Sequence, residues 1–228
     1  MELDPRPGVR RALLRAGREL GPRALANLRS LLSYLELGAW LETLPGGRQV
    51  AALPTDTAVF AEALRHVTGD RPLYLEFGVY EGRSLRWWAE NLPNQNAAFV
   101  GFDSFEGLPQ SWRPGTPQGH FRTAGPPDIH DARVSFVIGW FDQTLPGFTL
   151  PDHDQLVVNI DCDLYASADV VLRWLEPHLT PGTLIYFDEL ADRDHELRAL
   201  HESLQRSGKS VDPIAIGKGG VHWLFEYR

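Results

Sequence analysis

Two observations predict an α/β fold: a mostly parallel sheet with helices on both faces, preceded by N-terminal helices. Short apolar runs alternate with helix-period segments from residue 55 onward, the signature of parallel βαβ units. The last two runs, VDPIAI (211–216) and VHWLFEY (221–227), lie only a few residues apart. Such runs pair as an antiparallel hairpin appended to the parallel sheet. A length of 228 residues and an apolar share of 43% suit one large domain with an ordinary core and an added terminal element.

The elements follow in order. Residues 9–44 read as helical, because Leu13, Leu14, Leu20, Leu25, Leu28, Leu31, Leu32 and Leu35 recur at roughly helical spacing. Gly21-Pro22 breaks that stretch and Pro45-Gly46-Gly47 ends it. Residues 1–50 are therefore expected to form a helical extension, a lid or a homodimer contact, and 51–228 the main domain. A helix over 55–68 precedes the strand LYLEFG (73–78), and the helix SLRWWAENL (84–92) precedes the strand AAFVGFD (97–103). Strands VSFVIG (134–139), LVVNID (156–161) and TLIYFDE (183–189) follow, with helices at 167–179 and 191–207. Residues 108–133 are rich in Gly and Pro and too long for a plain connection, which points to a lid or binding loop.

Composition removes several classes of function. A net charge of −8 argues against a nucleic-acid groove. Eight Arg against five acids in residues 1–50 leave the remainder more acidic still. One cysteine, Cys162, allows no internal disulfide and no thiolate metal cluster, and reads as a small apolar filler. No run reaches the length of a membrane span, and the N-terminus lacks the apolar stretch of a secretory signal. A cytoplasmic location is expected.

The turn LYLEFGVYEGRS carries the first candidate site. Gly78 and Gly82 let the backbone approach a ligand before a helix N-terminus. Their spacing is not the dinucleotide G-x-G-x-x-G, which argues against an NAD or nucleotide-sugar oxidoreductase, and no phosphate-loop lysine follows. Glu76, two residues before Gly78, can accept from an ammonium group, so the ligand combines an amino acid with a nucleoside. Asp103 ends the second strand, 21 positions after Gly82, where this fold class holds ribose hydroxyls. Gly139-Trp140-Phe141 offers a flat apolar surface for an adenine ring.

The second candidate site is acidic. Asp161 and Asp188 each end an apolar strand, and Glu189 follows directly. Neighbouring strands would bring them together, and three carboxylates without a cation repel at a cost of several kcal/mol each. Oxygen ligands favour Mg²⁺, Ca²⁺ or Mn²⁺. Asp161 is expected to be a metal ligand and also the acceptor of a hydroxyl proton, with His120, His130 and His222 as alternative bases. Asp163 is expected to cap the next helix.

YLEFGVYEGRS, FVGFDSFEGLP, GWFDQTLPGF, NIDCDLYAS and IYFDEL, in that order, resemble class I S-adenosylmethionine-dependent methyltransferases. More narrowly, they resemble the macrocin-type sugar O-methyltransferases of natural-product biosynthesis. The resemblance covers about residues 50–228. It implies a seven-stranded Rossmann-like sheet, S-adenosylmethionine at the strands' carboxyl ends, usually Mg²⁺ beside it, and a small hydroxylated acceptor. The cofactor-binding set is then Glu76, Gly78, Tyr80, Gly82, Ser84, Asp103, Ser104, Gly139, Trp140 and Phe141; the metal set is Asp161, Asp188 and Glu189. Arg83 stands where a small residue is common and Glu189 where an Asp is usual. Those departures motivate a rival reading as a non-catalytic binding or assembly protein that retains the fold.

Overall fold

The structure, a computed structural model, describes residues 6–228; the first five residues of the expected helical extension lie outside the described residues. Its eight strands are β1 (Ala51–Ala52), β2 (Pro72–Phe77), β3 (Ala98–Asp103), β4 (Val134–Ile138), β5 (Gln155–Ile160), β6 (Leu184–Phe187), β7 (Val211–Ile216) and β8 (Trp223–Tyr227). They form one sheet in the order β1-β7-β8-β6-β5-β2-β3-β4. Only β8 runs antiparallel to its neighbours, β6 and β7. The expected mostly parallel sheet with its closing hairpin is therefore present, and β1 adds a two-residue edge beside β7.

Central strands are apolar on both sides because both sheet faces are covered. All six residues of β2 are buried. Leu73, Leu75 and Phe77 point into one core layer, packed with Ala168, Val171 and Leu172 of helix α6 (Tyr165–Leu175) and Leu197 and Leu200 of α7 (Glu196–Ser207). Tyr74 faces the other layer, with Val59 and Phe60 of α3 (Asp56–Arg65) and Leu85 and Trp88 of α4 (Arg83–Asn91). The two layers are the two sides of the strand's period of two.

Two helices precede the sheet, α1 (Pro7–Glu19) and α2 (Pro22–Leu41), broken as the Gly21-Pro22 pair predicts. Helix α1 buries no residue, and α2 buries Ser33, Leu37 and Leu41. Ten large apolar side chains between Val9 and Leu35 are exposed, and elsewhere among the described residues only Tyr80 and Ile138 are. A short helix, α5 (Phe141–Thr144), was not expected. Helix α7 starts at Glu196, later than 191, because residues 188–195 form turns.

After β2 the chain proceeds through β3 and β4 to one edge, then returns to place β5 on the other side of β2. That reversal is a topological switch point, where sheets of this kind leave a crevice at the strands' carboxyl ends.

Candidate active site

A cavity of about 890 Å³ opens at that switch point, large enough for a nucleoside-sized ligand and a second small molecule. Gly78 and Tyr80 after β2, Asp103 and Ser104 at β3, and Gly139, Trp140 and Phe141 after β4 line it. So do Asp161 after β5 and Asp188 and Glu189 after β6. Glu76, Gly82 and Ser84 do not line it.

The reason lies in strand periodicity. Glu76 shares its side of β2 with Tyr74, so it points into the α4 layer rather than out of the strand end. Its carboxylate is fully buried and accepts from Tyr74 Oη (2.5 Å), Ser84 Oγ (2.8 Å) and Asn159 Nδ2 (3.3 Å). Burial pushes its pKa up to about 7, against the pull of those three donors. Glu76 thus ties β2, β5 and the start of α4 together beneath the cavity floor.

The turn above is set by backbone contacts. Gly78 has φ +94, and a Cβ there would sit 1.9 Å from the Asp161 carbonyl oxygen. Its close approach is to β5. Asp103 Oδ2 accepts from the Val79 and Tyr80 amides, both at 2.9 Å, and Oδ1 from the Phe105 amide at 2.7 Å. Gly82 (φ +71) begins α4, and a Cβ there would meet Pro127 Cγ at 2.5 Å. The long loop therefore packs directly on the glycine turn.

Residues 104–133 carry no regular secondary structure but are well tied. Leu108 and Gly119–His120 pair through backbone hydrogen bonds of 2.8 and 2.9 Å, and Arg86 Nη2 donates to the Asp128 carbonyl at 3.1 Å. Trp112 and Phe121 from this loop line the cavity, and Phe121 meets the Tyr80 ring edge-on at 5.5 Å. Tyr80, Phe105, Phe121 and Asp163 all have φ between 51 and 67, and no other non-glycine described residue has a positive φ. Three of the four line the cavity, and such strain concentrates at functional sites.

The acids converge as the strand order predicts. Parallel pairing of Ile160 with Phe187 puts Asp161 and Asp188 at adjacent strand ends, and the Asp188 amide donates to the Ile160 carbonyl at 3.0 Å. Burial, and then the charges of Asp188 and Asp163, hold the Asp161 carboxyl well above the usual carboxylate range. Burial and the charges of Glu189 and Asp188 push Asp163 up to about 7, with Arg113 opposing. Asp163 lines the cavity and does not cap α6, whose N-cap, Leu164, makes no side-chain cap bond. Its left-handed φ of 59 turns it away from the helix start. Cys162 is buried in the core, as expected of a filler.

Other groups hold these acids in ways that sequence spacing does not display. Asp188 Oδ1 accepts from Tyr186 Oη and lies at ion-pair distance from His222 Nδ1, both at 3.0 Å. Burial lowers the His222 pKa, but the contact with Asp188 and the charges of Asp188 and Asp56 outweigh it and raise the value. Glu189 accepts from both terminal nitrogens of Arg113, and burial still leaves its carboxyl raised. His120, His130 and His222 do not line the cavity. Among the described residues no group of three or more Asp, Glu, His or Cys is assembled at metal-binding spacing. Arg83 is clear of the cavity: it is exposed and ion-paired with Asp56 of α3.

The doubly wound sheet with a cavity at its switch point defines an α/β ligand-binding domain. A family model described as a methyltransferase domain matches residues 75–190, half of the chain, and the chain belongs to that family. It is 40% identical over 94 residues to 8-demethyl-8-(2,3-dimethoxy-alpha-L-rhamnosyl)-tetracenomycin-C 4'-O-methyltransferase of Streptomyces olivaceus, covering 41% of this chain and 34% of that one. It is 34% identical over 96 residues to mycinamicin III 3''-O-methyltransferase of Micromonospora griseorubida, covering 41% and 35%. Each match thus spans about a third of the relative's length. Of solved structures, the calicheamicin methyltransferase CalS11 superposes with a TM-score of 0.57 at 24% identity, and the O-methyltransferase NovP with 0.55 at 21%. Both cover 75% of this chain and 76% of their own, and they share its fold.

Proposed function

We propose that the chain transfers the methyl group of S-adenosylmethionine to a hydroxyl of a small natural product, with a sugar as the acceptor class. The observation that carries this reading is the cavity at the β2–β5 switch point, which combines an aromatic wall with acids at the ends of β3, β5 and β6. The relatives named for sugar and natural-product O-methylation support the acceptor class. The residues present suit the cofactor. Trp140 and Phe141 offer flat surface to adenine, Asp103 faces the nucleoside region, and the acids suit a ligand bearing ammonium and sulfonium charge.

Bound there, the cofactor supplies an electrophilic methyl group. The protein's part is alignment and proton transfer. Asp161, at the β5 end inside the cavity, takes the proton of the acceptor hydroxyl. Trp112 and Phe121 cover the cavity and restrict water. The all-oxygen donors Asp161, Asp188 and Glu189 suit Mg²⁺ in chemistry, and mutual repulsion among the acids favours a cation. Such an ion supplies Lewis acidity toward an acceptor oxygen.

Residues 51–228 form the cofactor-binding domain in this reading, and residues 1–50 an extension that serves as a lid or joins two chains. Calorimetric titration with S-adenosylhomocysteine tests it. Binding at micromolar ligand is expected, and a folded protein that binds none at millimolar ligand overturns it.

A further inference from the structure

Glu189 directs its carboxylate toward the loop instead of the neighbouring acids. Arg113 Nη1 donates to Oε2 at 3.1 Å and Nη2 to Oε1 at 3.2 Å, so both oxygens are engaged by one guanidinium. That guanidinium lies 3.7 Å over the ring of Trp112, a cavity-lining residue. A tight turn fixes its base: the Arg113 amide donates to Thr116 Oγ1 (3.0 Å) and the Trp112 amide to the Thr116 carbonyl (3.0 Å). The flanks of the loop are anchored separately, by the Leu108 pairing with Gly119–His120 and by Pro127 against Gly82. Among the described residues, segment 109–118 is tied to the β6 end by the two Arg113 bonds, together with an edge contact of Trp112 with His195 at 6.2 Å.

A two-pronged guanidinium occupies the same carboxylate oxygens that a divalent cation would take. Arg113 also offsets the charge of Asp163, so it already supplies part of the positive charge the acids call for. We propose that Arg113 is the resident counter-cation of this cluster and competes with a divalent cation for Glu189, so that cation binding releases segment 109–118 over the cavity. The inference rests on the metal reading of the acids given above. It accounts for the lack of an assembled metal cluster while Glu189 is held by the loop. It also makes acceptor access and cation occupancy two readings of one equilibrium.

The experiment is Mn²⁺ titration by electron paramagnetic resonance of wild type, Arg113→Gln and the double variant Arg113→Gln/Glu189→Gln, with and without S-adenosylhomocysteine. Loss of a competing ion pair of this exposure should tighten Mn²⁺ binding about fivefold in Arg113→Gln. The gain should vanish in the double variant. In wild type, Mg²⁺ should speed chymotryptic cleavage after Trp112; in Arg113→Gln cleavage should be fast with or without it. Unchanged or weaker Mn²⁺ affinity in Arg113→Gln overturns the proposal. So does a gain that persists without Glu189, which would be long-range charge alone, or wild-type cleavage indifferent to Mg²⁺. Absence of Mn²⁺ binding in all three proteins overturns it as well. The methyl-transfer reading is scored separately, by S-adenosylhomocysteine binding.

Discussion

At Asp161 the demands of fold and chemistry meet in one residue. Its amide closes β5 onto the Phe77 carbonyl at 2.9 Å, and its carbonyl oxygen fills the space a Gly78 side chain would need. Asp161→Asn keeps the backbone and removes the proposed base. Turnover should fall about 10²–10⁴-fold, with S-adenosylhomocysteine binding retained in calorimetry. Glu76 makes a stability prediction instead. Its folded pKa of about 7 lies above the ordinary 4.5, so the proton is bound more tightly in the folded chain. The stabilisation is complete below pH 4.5 and is lost as the pH rises through 7. A shift of that size corresponds to about 3 kcal/mol across the window. Urea unfolding at pH 5 and pH 8 should show wild type weaker at the higher pH, with a smaller difference in Glu76→Gln.

At the scale of elements, the β2–α4 turn depends on absent side chains. Gly78→Ala must find room 1.9 Å from a carbonyl oxygen at φ +94. It should lower unfolding free energy by about 2–4 kcal/mol and abolish S-adenosylhomocysteine binding. This scale also divides what the sequence displays from what it hides. The seven longer strands are legible because both faces of the sheet are covered, which leaves continuous apolar runs such as Leu156–Ile160. Strand β1 is two alanines, and α5 is four residues, too short for any period to register. The strand ends point to Asp103, Asp161 and Asp188, because a run that stops at an acid is visible in one dimension. Whether Glu76 faces cavity or core depends on which side of β2 it takes. Contacts such as Arg113–Glu189 or His222–Asp188 join residues far apart in sequence, and no local spacing announces them.

For the whole molecule, the exposed apolar stripe of α1 and α2 carries the prediction. Helix α1 buries nothing against the rest of the chain, so a chain beginning at Pro22 should melt at an unchanged temperature. If the stripe joins two chains, sedimentation velocity should give a dimer for the full chain and a monomer for the shortened one. Monomers in both cases, with altered turnover in the shortened chain, would assign the helices to the acceptor side.

The left-handed backbones of Tyr80, Phe105, Phe121 and Asp163 bear on how this protein would respond to selection. Each holds a side chain in a conformation that glycine adopts freely, at a cost of about 1 kcal/mol or more. A laboratory screen for heat resistance alone should therefore accumulate glycine at these positions. The survivors would be sturdier and slower, because three of the four, Tyr80, Phe121 and Asp163, line the cavity.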